Sequence, residues 1–303
     1  MLIYIGPRRQ THVVRHALPD ERRPRWTGRT YSWLFRTPRL PAATYIFVGV
    51  DRLDMGERRL AAQFYRHINA QGPGFRALND SAIGMGRYRL LRTLYQRGIN
   101  QFNACLATEP LDGLRWPVFV RSATMSLPPL SDLLTTRGDL DGALARLVDA
   151  GHPPEDLLII EHCAEPFAPG LYRKQAEYRI GDRYVPNASI YAAEWYVKRS
   201  TSVIVDDSHI AFDMAVMRDN PYAELARDVF AIAGVDYGRI DIGIVGGRPQ
   251  VYELNFNPDL RSQRDWPAKQ ATLVTAWTLS DDQVYAALHS IDSPSGRAAR
   301  TLT

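Results

Sequence analysis

The stretch VDYGRIDIGIVGGRPQVYELNFNP, from Val235 to Pro258, reads as two strands joined by a glycine turn. β-Branched and aromatic residues flank Gly246-Gly247, and such a pair supplies the positive φ angles of a tight hairpin. The polar residues carry the information. Asp241 interrupts the first strand, whereas Glu253 and Asn255 lie two apart on the second and therefore point to one face. Closing the chain about Gly246-Gly247 sets position 241 opposite 252 or 253, depending on turn length, so two carboxylates and an amide converge.

Like charges that close on half-buried strands repel and lose hydration, so the arrangement calls for a cation or donors between them. Oxygen ligands from Asp, Glu and Asn suit Mg²⁺, which keeps waters and shares its shell with phosphates. The plain alternative is a hairpin whose polar residues face solvent.

At 303 residues and 45% hydrophobic content, the chain can bury a core and form two or three subdomains. No apolar run has the length of a membrane helix, and Met1-Leu2-Ile3-Tyr4-Ile5 is too short for a signal-peptide core, so no membrane partner is expected. Cys105 and Cys163 are too few for a disulfide framework or a cysteine metal site, and a reducing cytoplasm is the expected location. Net charge is +4, yet residues 1–40 hold nine Arg against Asp20 and Glu21. That segment lacks interleaved aromatics or a DNA-reading motif, so no nucleic-acid partner is expected; it reads as a solvated face or a docking surface for a phosphorylated or carboxylated substrate. Only Lys174, Lys198 and Lys269 are lysines among 37 basic residues, which marks them as compact point charges for phosphate.

Outward from the hairpin, Tyr222 to Ala233 is a helix that feeds it, and residues 171–197 form a second hairpin turning at Gly181-Asp182-Arg183. Lys198, beside Arg199, is expected at a strand end facing a polar loop. Residues 199–209 read as a polar connector, and Asp206-Asp207-Ser208-His209 within it resembles a catalytic string only superficially, since the chain has no G-x-S-x-G elbow. Leu157 to Ile160 is a buried strand ending at Glu161-His162, residues 139–150 an amphipathic helix, and Trp116 to Arg121 a strand ending in a cation. His162 and Cys163 alternate across a strand, which favours packing over a catalytic dyad. Gly84-Met85-Gly86 starts a helix that Gly98 stops and does not complete a dinucleotide-binding glycine set. Ala43 to Val50 is a buried strand, Asp54 caps a helix from Met55 to Ala70, and Phe75 to Asn79 is a short strand, together a small α/β unit. Loops such as Leu18-Pro19-Asp20 and Arg23-Pro24 fill the start of the chain. A helix over 279–290 and a tail from Asp292-Ser293-Pro294 end it.

Together these pieces resemble the ATP-grasp superfamily over roughly residues 79–260, most specifically at the opening hairpin. The resemblance implies an α+β fold in which two α+β subdomains, 81–155 and 156–265, grip ATP, preceded by a small α/β unit at 1–80 and followed by a helix and tail at 266–303. It implies ATP and Mg²⁺ as cofactors, with Asp241, Glu253 and Asn255 on the metal. The twelve-residue separation of the two carboxylates is similar to that of the superfamily's amino-acid ligases. Arg239 would steady an oxyanion. Arg121 stands where the superfamily places a Lys on the α- and β-phosphates, and the backbone of Ile160, Glu161, His162 and Cys163 would read adenine at an interdomain hinge. Lys174 and Arg179 would reach phosphate or substrate. Asn79 and the helix from Arg87 to Ile99 are similar to a further landmark. Two features depart from the pattern: Ser122 to Pro129, after Arg121, contains no glycine, and Phe256-Asn257-Pro258-Asp259-Leu260 lacks the common Gly.

What the resemblance implies is an ATP- and Mg²⁺-dependent ligase. It would activate the carboxylate of a small-molecule or peptide substrate as an acyl phosphate for attack by an amine or similar nucleophile. A kinase acting on a hydroxyl is one alternative. A degenerate, non-catalytic nucleotide-binding protein is the other, motivated by the glycine-free loop.

Overall fold

The computed structural model describes residues 1–8, 24–125, 127–198, 206–258, 260, 274–292 and 300–301. The expectations for Leu18-Pro19-Asp20, Arg23, Ser126, residues 199–205, Asp259, Lys269 and the tail over residues 293–299 lie outside the described residues. No helix among the described residues is long and apolar enough to cross a membrane.

The chain begins with β1 (Leu2–Gly6), β2 (Trp26–Thr30), α1 (Tyr31–Arg36), β3 (Arg39–Leu40), β4 (Thr44–Phe47), α2 (Met55–Asn69) and β5 (Arg76–Leu78). β2, β1, β4 and β5 lie side by side in that order, every pair parallel. β1 and β4 are buried on both faces, which is why they read as unbroken apolar runs. Ile3, Ile5, Tyr45 and Phe47 enter one core, and Leu2, Tyr4, Ile46 and Val48 another. Asp54 and Glu57 close a reciprocal capping box at the start of α2.

The middle of the chain holds α3 (Arg87–Gln96), β6 (Ala104–Leu106), β7 (Val118–Ser122), α4 (Arg137–Asp149) and β8 (Leu157–Glu161). Its strands form an antiparallel sheet in the order β6-β8-β7. β8 therefore belongs to the central sheet and not to the following unit, so the change of sheet comes after Glu161 and not at residue 156. The reason is packing: Leu157 and Ile159 share a core with Val118, Val120 and Leu140, whereas Leu158 and Ile160 pack on Leu91, Phe102 and Phe119.

The remainder comprises β9 (Tyr172–Ile180), β10 (Arg183–Ala192), α5 (Asp207–Asp219), α6 (Ala223–Ala233), β11 (Tyr237–Val245), β12 (Arg248–Asn255), α7 (Val274–Ser290) and β13 (Arg300–Thr301), the last paired with β3. The antiparallel sheet runs β10-β9-β11-β12. The connector expected over 199–209 is helical from Asp207, because the Asp206 carboxylate accepts the Ser208 and His209 amides and Ile210, Met214 and Met217 recur at helical spacing against Tyr191. One face of this sheet packs Ile240, Ile242 and Leu254 on Val229 and Phe230 of α6. On the other face, Tyr178, Ile180 and Tyr237 meet Val284 and Leu288 of α7 together with Leu2 and Tyr4. That cover stops short of Lys174, Asp241 and Glu253, which face the central sheet across a cavity.

Side-chain amides stitch the units together. Asn79, in the left-handed region at φ 68°, donates to the Phe47 and Tyr237 carbonyls (3.0 and 2.8 Å) and accepts from the Asp236 and Tyr237 amides (2.8 and 2.9 Å). Its full bonding capacity is spent joining the parallel sheet to the entry of β11. Asn100 does the same for the edge strand β12, donating to the Val251 carbonyl at 2.9 Å and accepting its amide at 2.8 Å.

Replacing Asn79 by Ala strips four buried backbone groups of their partner, and a loss of about 2–4 kcal/mol in urea denaturation is expected. Asn79→Gly, which tolerates the positive φ but makes no bonds, should recover only a small part. A second outcome concerns Glu177, a buried residue of β9, where burial pushes its carboxyl up to about 8 against the opposing Asn220 hydrogen bond. A raised carboxyl favours the protonated folded form, so its stabilisation is complete below the unfolded value and lost as pH climbs towards 8. Glu177→Gln should flatten the fall in melting temperature between pH 5 and 9; an unchanged profile would remove Glu177 as its source.

Candidate functional site

From the turn, β11 and β12 stay in step, with Val245 opposite Arg248 and Ile242 opposite Val251; Tyr252 is then taken up as an extra residue, and Asp241 pairs with Glu253. This bulge decides between the two registers that the turn alone allowed. It puts Asp241 beside Glu253, and Arg239 beside Asn255, all on one face. The Tyr252 ring lies over Gly243, where any side chain would overlap it, and its hydroxyl donates to the Cys163 carbonyl at 2.8 Å. One residue thus makes the bulge and ties it to the chain leaving β8.

Four cations answer the two carboxylates. Lys174 Nζ lies 2.9 Å from Asp241 Oδ2, and Arg239 Nε 3.0 Å from Oδ1. Arg87 Nη2 lies 2.5 Å from Glu253 Oε1, and Arg121 Nη2 3.6 Å from Oε2. Burial works against the charge on Asp241, but Arg239 and Lys174 outweigh it and hold the carboxyl below its usual range. Burial likewise opposes the charge on Glu253, and Arg87 and Arg121 overcome it. Arg121 is only 4% exposed, and its Nε and Nη2 have no hydrogen-bond partner among the described residues. Burial lowers its proton affinity, yet a guanidinium stays charged. A buried cation with unused N–H groups is costly unless an anion meets it.

The cavity beside this cluster runs between the central and C-terminal sheets. Its apolar end is walled by Phe119, Ile160, Trp195 and Tyr252, and its polar end by Arg121, Lys174, Lys198, Asp241 and Glu253. Trp195 meets Phe119 with the rings tilted by 55° and 4.8 Å apart, and meets the His162 ring edge-on at 5.2 Å. His162, Cys163 and the backbone of Glu161 form one wall. The Glu161 side chain turns away, accepting from Arg115 Nε and Nη2 at 3.0 and 2.7 Å and from the Asn103 and Arg115 amides. His162 Nε2 is buried with no partner among the described residues, and burial depresses its pKa, which favours a neutral ring.

Arg121, Ile160, Glu161, His162, Cys163, Lys174, Asp241 and Glu253 are thus brought to one cavity. Arg239 and Asn255 form the next pair on that face, two along the hairpin, outside its lining. Arg179 is a correction: five residues from Lys174, it points to the opposite face, where it bonds the Val235 and Gly181 carbonyls (2.8 and 3.0 Å) and pairs with Asp236 at 3.2 Å. Lys198 is a second correction, since it lines the cavity, with its pKa lowered by burial and by Arg121.

Sequence reasoning passed over Arg87 and Trp195. Arg87 carried a signal: it opens α3 with no acidic residue in the first turn, a cation at the positive end of a helix dipole. Its Nη1 also donates to the Ser122 and Met125 carbonyls at 2.6 and 2.9 Å. From the other side Asp156 accepts from Ser122 Oγ and Thr124 Oγ1 at 2.6 and 2.7 Å. The glycine-free segment is held by side chains.

Among the described residues, no group of three or more His, Cys, Asp or Glu is placed to hold a metal ion by itself. Asp241 and Glu253, with the Asn255 amide next along the same face, form an all-oxygen set whose two adjacent carboxylates suit a hard cation that completes its shell with water and phosphate. The residues fit Mg²⁺.

No protein-family model matches the sequence, and no curated protein matches it. Solved structures do. D-alanine–D-alanine ligase from Bacillus anthracis is similar at 13% identity and a TM-score of 0.55, over 96% of this chain and 97% of that one. The same enzyme complexed with ATP gives 14% identity and a TM-score of 0.50, over 96% and 98%. The ligase from Coxiella burnetii gives 12% and 0.52, over 96% of each chain. Likeness at such identity speaks for architecture alone, and it agrees with the sheets and hairpin described above: the chain has the α+β fold of these ligase structures.

Proposed function

We propose that the protein is an ATP- and Mg²⁺-dependent ligase that joins a small-molecule or peptide carboxylate to an amine or similar nucleophile. The observation that carries this reading is the buried Arg121 guanidinium, with unused N–H groups, in an excess of cations beside two carboxylates at the end of an apolar slot.

Adenine would lie between Ile160, Phe119 and Trp195, its edge read by the backbone from Glu161 to Cys163. Arg121 and Lys174, joined by Arg87 and Lys198, would hold the phosphate oxygens, Arg with a planar fork and Lys with a point charge. Asp241, Glu253 and Asn255 would hold the metal, which when bound neutralises charge on the phosphates. A substrate carboxylate oxygen attacks the γ-phosphorus, ADP departs, and the amine then displaces phosphate from the acyl phosphate. Arg239 would move its guanidinium onto the oxyanion formed at that second step. The Arg87 bonds to the Ser122 and Met125 carbonyls tie the start of α3 to the segment that follows β7.

The test is product analysis with pooled carboxylates and amines. ADP and free phosphate released with a new amide support the ligase; γ-phosphate retained on an alcohol would make the protein a kinase, and no turnover with tight nucleotide binding would make it a binding protein. Asp241→Asn and Glu253→Gln should each lower turnover by about a hundredfold or more; full activity in either would sink the metal assignment. Trp195→Ala should raise KM for ATP by about tenfold or more while leaving kcat nearly unchanged, as expected for uniform loss of a stacking contact.

A further inference from the structure

We infer that metal and nucleotide bind this cleft as mutually dependent ligands, each releasing the groups that the other needs. The inference rests on the nucleotide reading given above. Three of the cations assigned there to phosphate are already engaged by a carboxylate assigned to the metal: Lys174 at 2.9 Å from Asp241, and Arg87 and Arg121 at 2.5 and 3.6 Å from Glu253. Arg239 closes the second oxygen of Asp241 at 3.0 Å.

These pairs lie out of water. Asp241 and Arg121 are 4 and 5% exposed at the side chain, and Lys174 is 18% exposed, so solvent screens them weakly. A divalent ion approaching Asp241 and Glu253 meets four positive charges and finds the carboxylate oxygens taken. A phosphate approaching Lys174 and Arg121 meets two carboxylates and must draw cations away from them, leaving buried anions unpaired. Supplied together, the two ligands exchange partners: the carboxylates pass to the metal, and the cations pass to the phosphates. No buried charge is left alone at either end. By linkage, the factor by which metal tightens nucleotide equals the factor by which nucleotide tightens metal.

Simple bridging by a metal would also make the ligands cooperative, but it would not make a cation an obstacle to the metal. The distinguishing measurement is therefore metal affinity with no nucleotide present. With Mn²⁺ as the probe and free Mn²⁺ counted by electron paramagnetic resonance, wild-type protein alone should bind the metal weakly. Lys174→Met, which leaves Arg239 on Asp241, should bind Mn²⁺ about tenfold more tightly than wild type, equivalent to about 1.4 kcal/mol, while its affinity for ADP in the presence of Mn²⁺ falls. Lys174→Arg should keep metal affinity low, because the pair survives. Arg121→Met tests the Glu253 side independently, with circular dichroism to certify folding of each variant.

An unchanged or weaker Mn²⁺ affinity in both Met variants would overturn the inference, as would wild-type protein binding Mn²⁺ equally well with and without ADP. Wild-type protein that fails to bind ADP at any Mn²⁺ concentration would overturn the nucleotide reading itself, and this inference with it.

Discussion

Asp241 and Glu253 stand side by side on neighbouring strands, Asp241 buried and Glu253 half-buried, each carboxyl held below its usual range by the cations around it. Two like charges in that position are unfavourable by repulsion and by lost hydration, and nothing in a hairpin offsets either cost. The surrounding architecture supplies the balance from four directions: Lys174 from β9, Arg239 from β11 itself, Arg121 from β7 and Arg87 from the start of α3. Removing any of these elements would leave a buried charge exposed to its neighbour. The central and C-terminal sheets and the start of α3 are therefore held in one arrangement by electrostatics as well as by their cores.

The placement of that charge cluster depends on a few polar stitches. Asn79 fixes where β11 begins, Asn100 pins the outer edge of β12, and Tyr252 both creates the bulge and anchors it to Cys163. Each uses a side chain to satisfy backbone groups that sheet pairing leaves open. With the bulge, the carboxylates share a face; without it, Tyr252 would stand opposite Asp241 and Glu253 would turn into the core that Ile242 and Leu254 occupy.

The hairpin, its glycine turn, the capped helix after Asp54 and the buried strands at β4 and β8 were all legible, because each rests on short-range rules that sequence displays. Sheet membership was less so. β8 is apolar on both faces, and a two-sided strand carries no mark of which neighbour it will pair with. Strand alternation sets Arg179 across the sheet from Lys174, so parity excludes it where the resemblance includes it. Arg87 is the reverse case: a cation at a helix start reads as part of the helix, and only the fold shows it beside Glu253. Trp195 lies beyond the end of β10, and Lys198 precedes residues 199–205 with no periodic pattern to orient it, so only the fold shows that both face the cavity. The opening of α5 at Asp207 was masked by its own cap, since Asp and Ser read as connector until the Ile210, Met214 and Met217 stripe is counted with them.

The central claim is that the cavity between β7–β8 and β9–β11 is a nucleotide cleft whose metal end is the bulged hairpin. A crystal structure with Mg²⁺ and a non-hydrolysable ATP analogue tests it most directly. The expected density has the base between Ile160 and Trp195, the phosphates on Arg121 and Lys174, and a metal on Asp241 and Glu253. A nucleotide bound elsewhere, or one whose phosphates leave Arg121 without a partner, would contradict it.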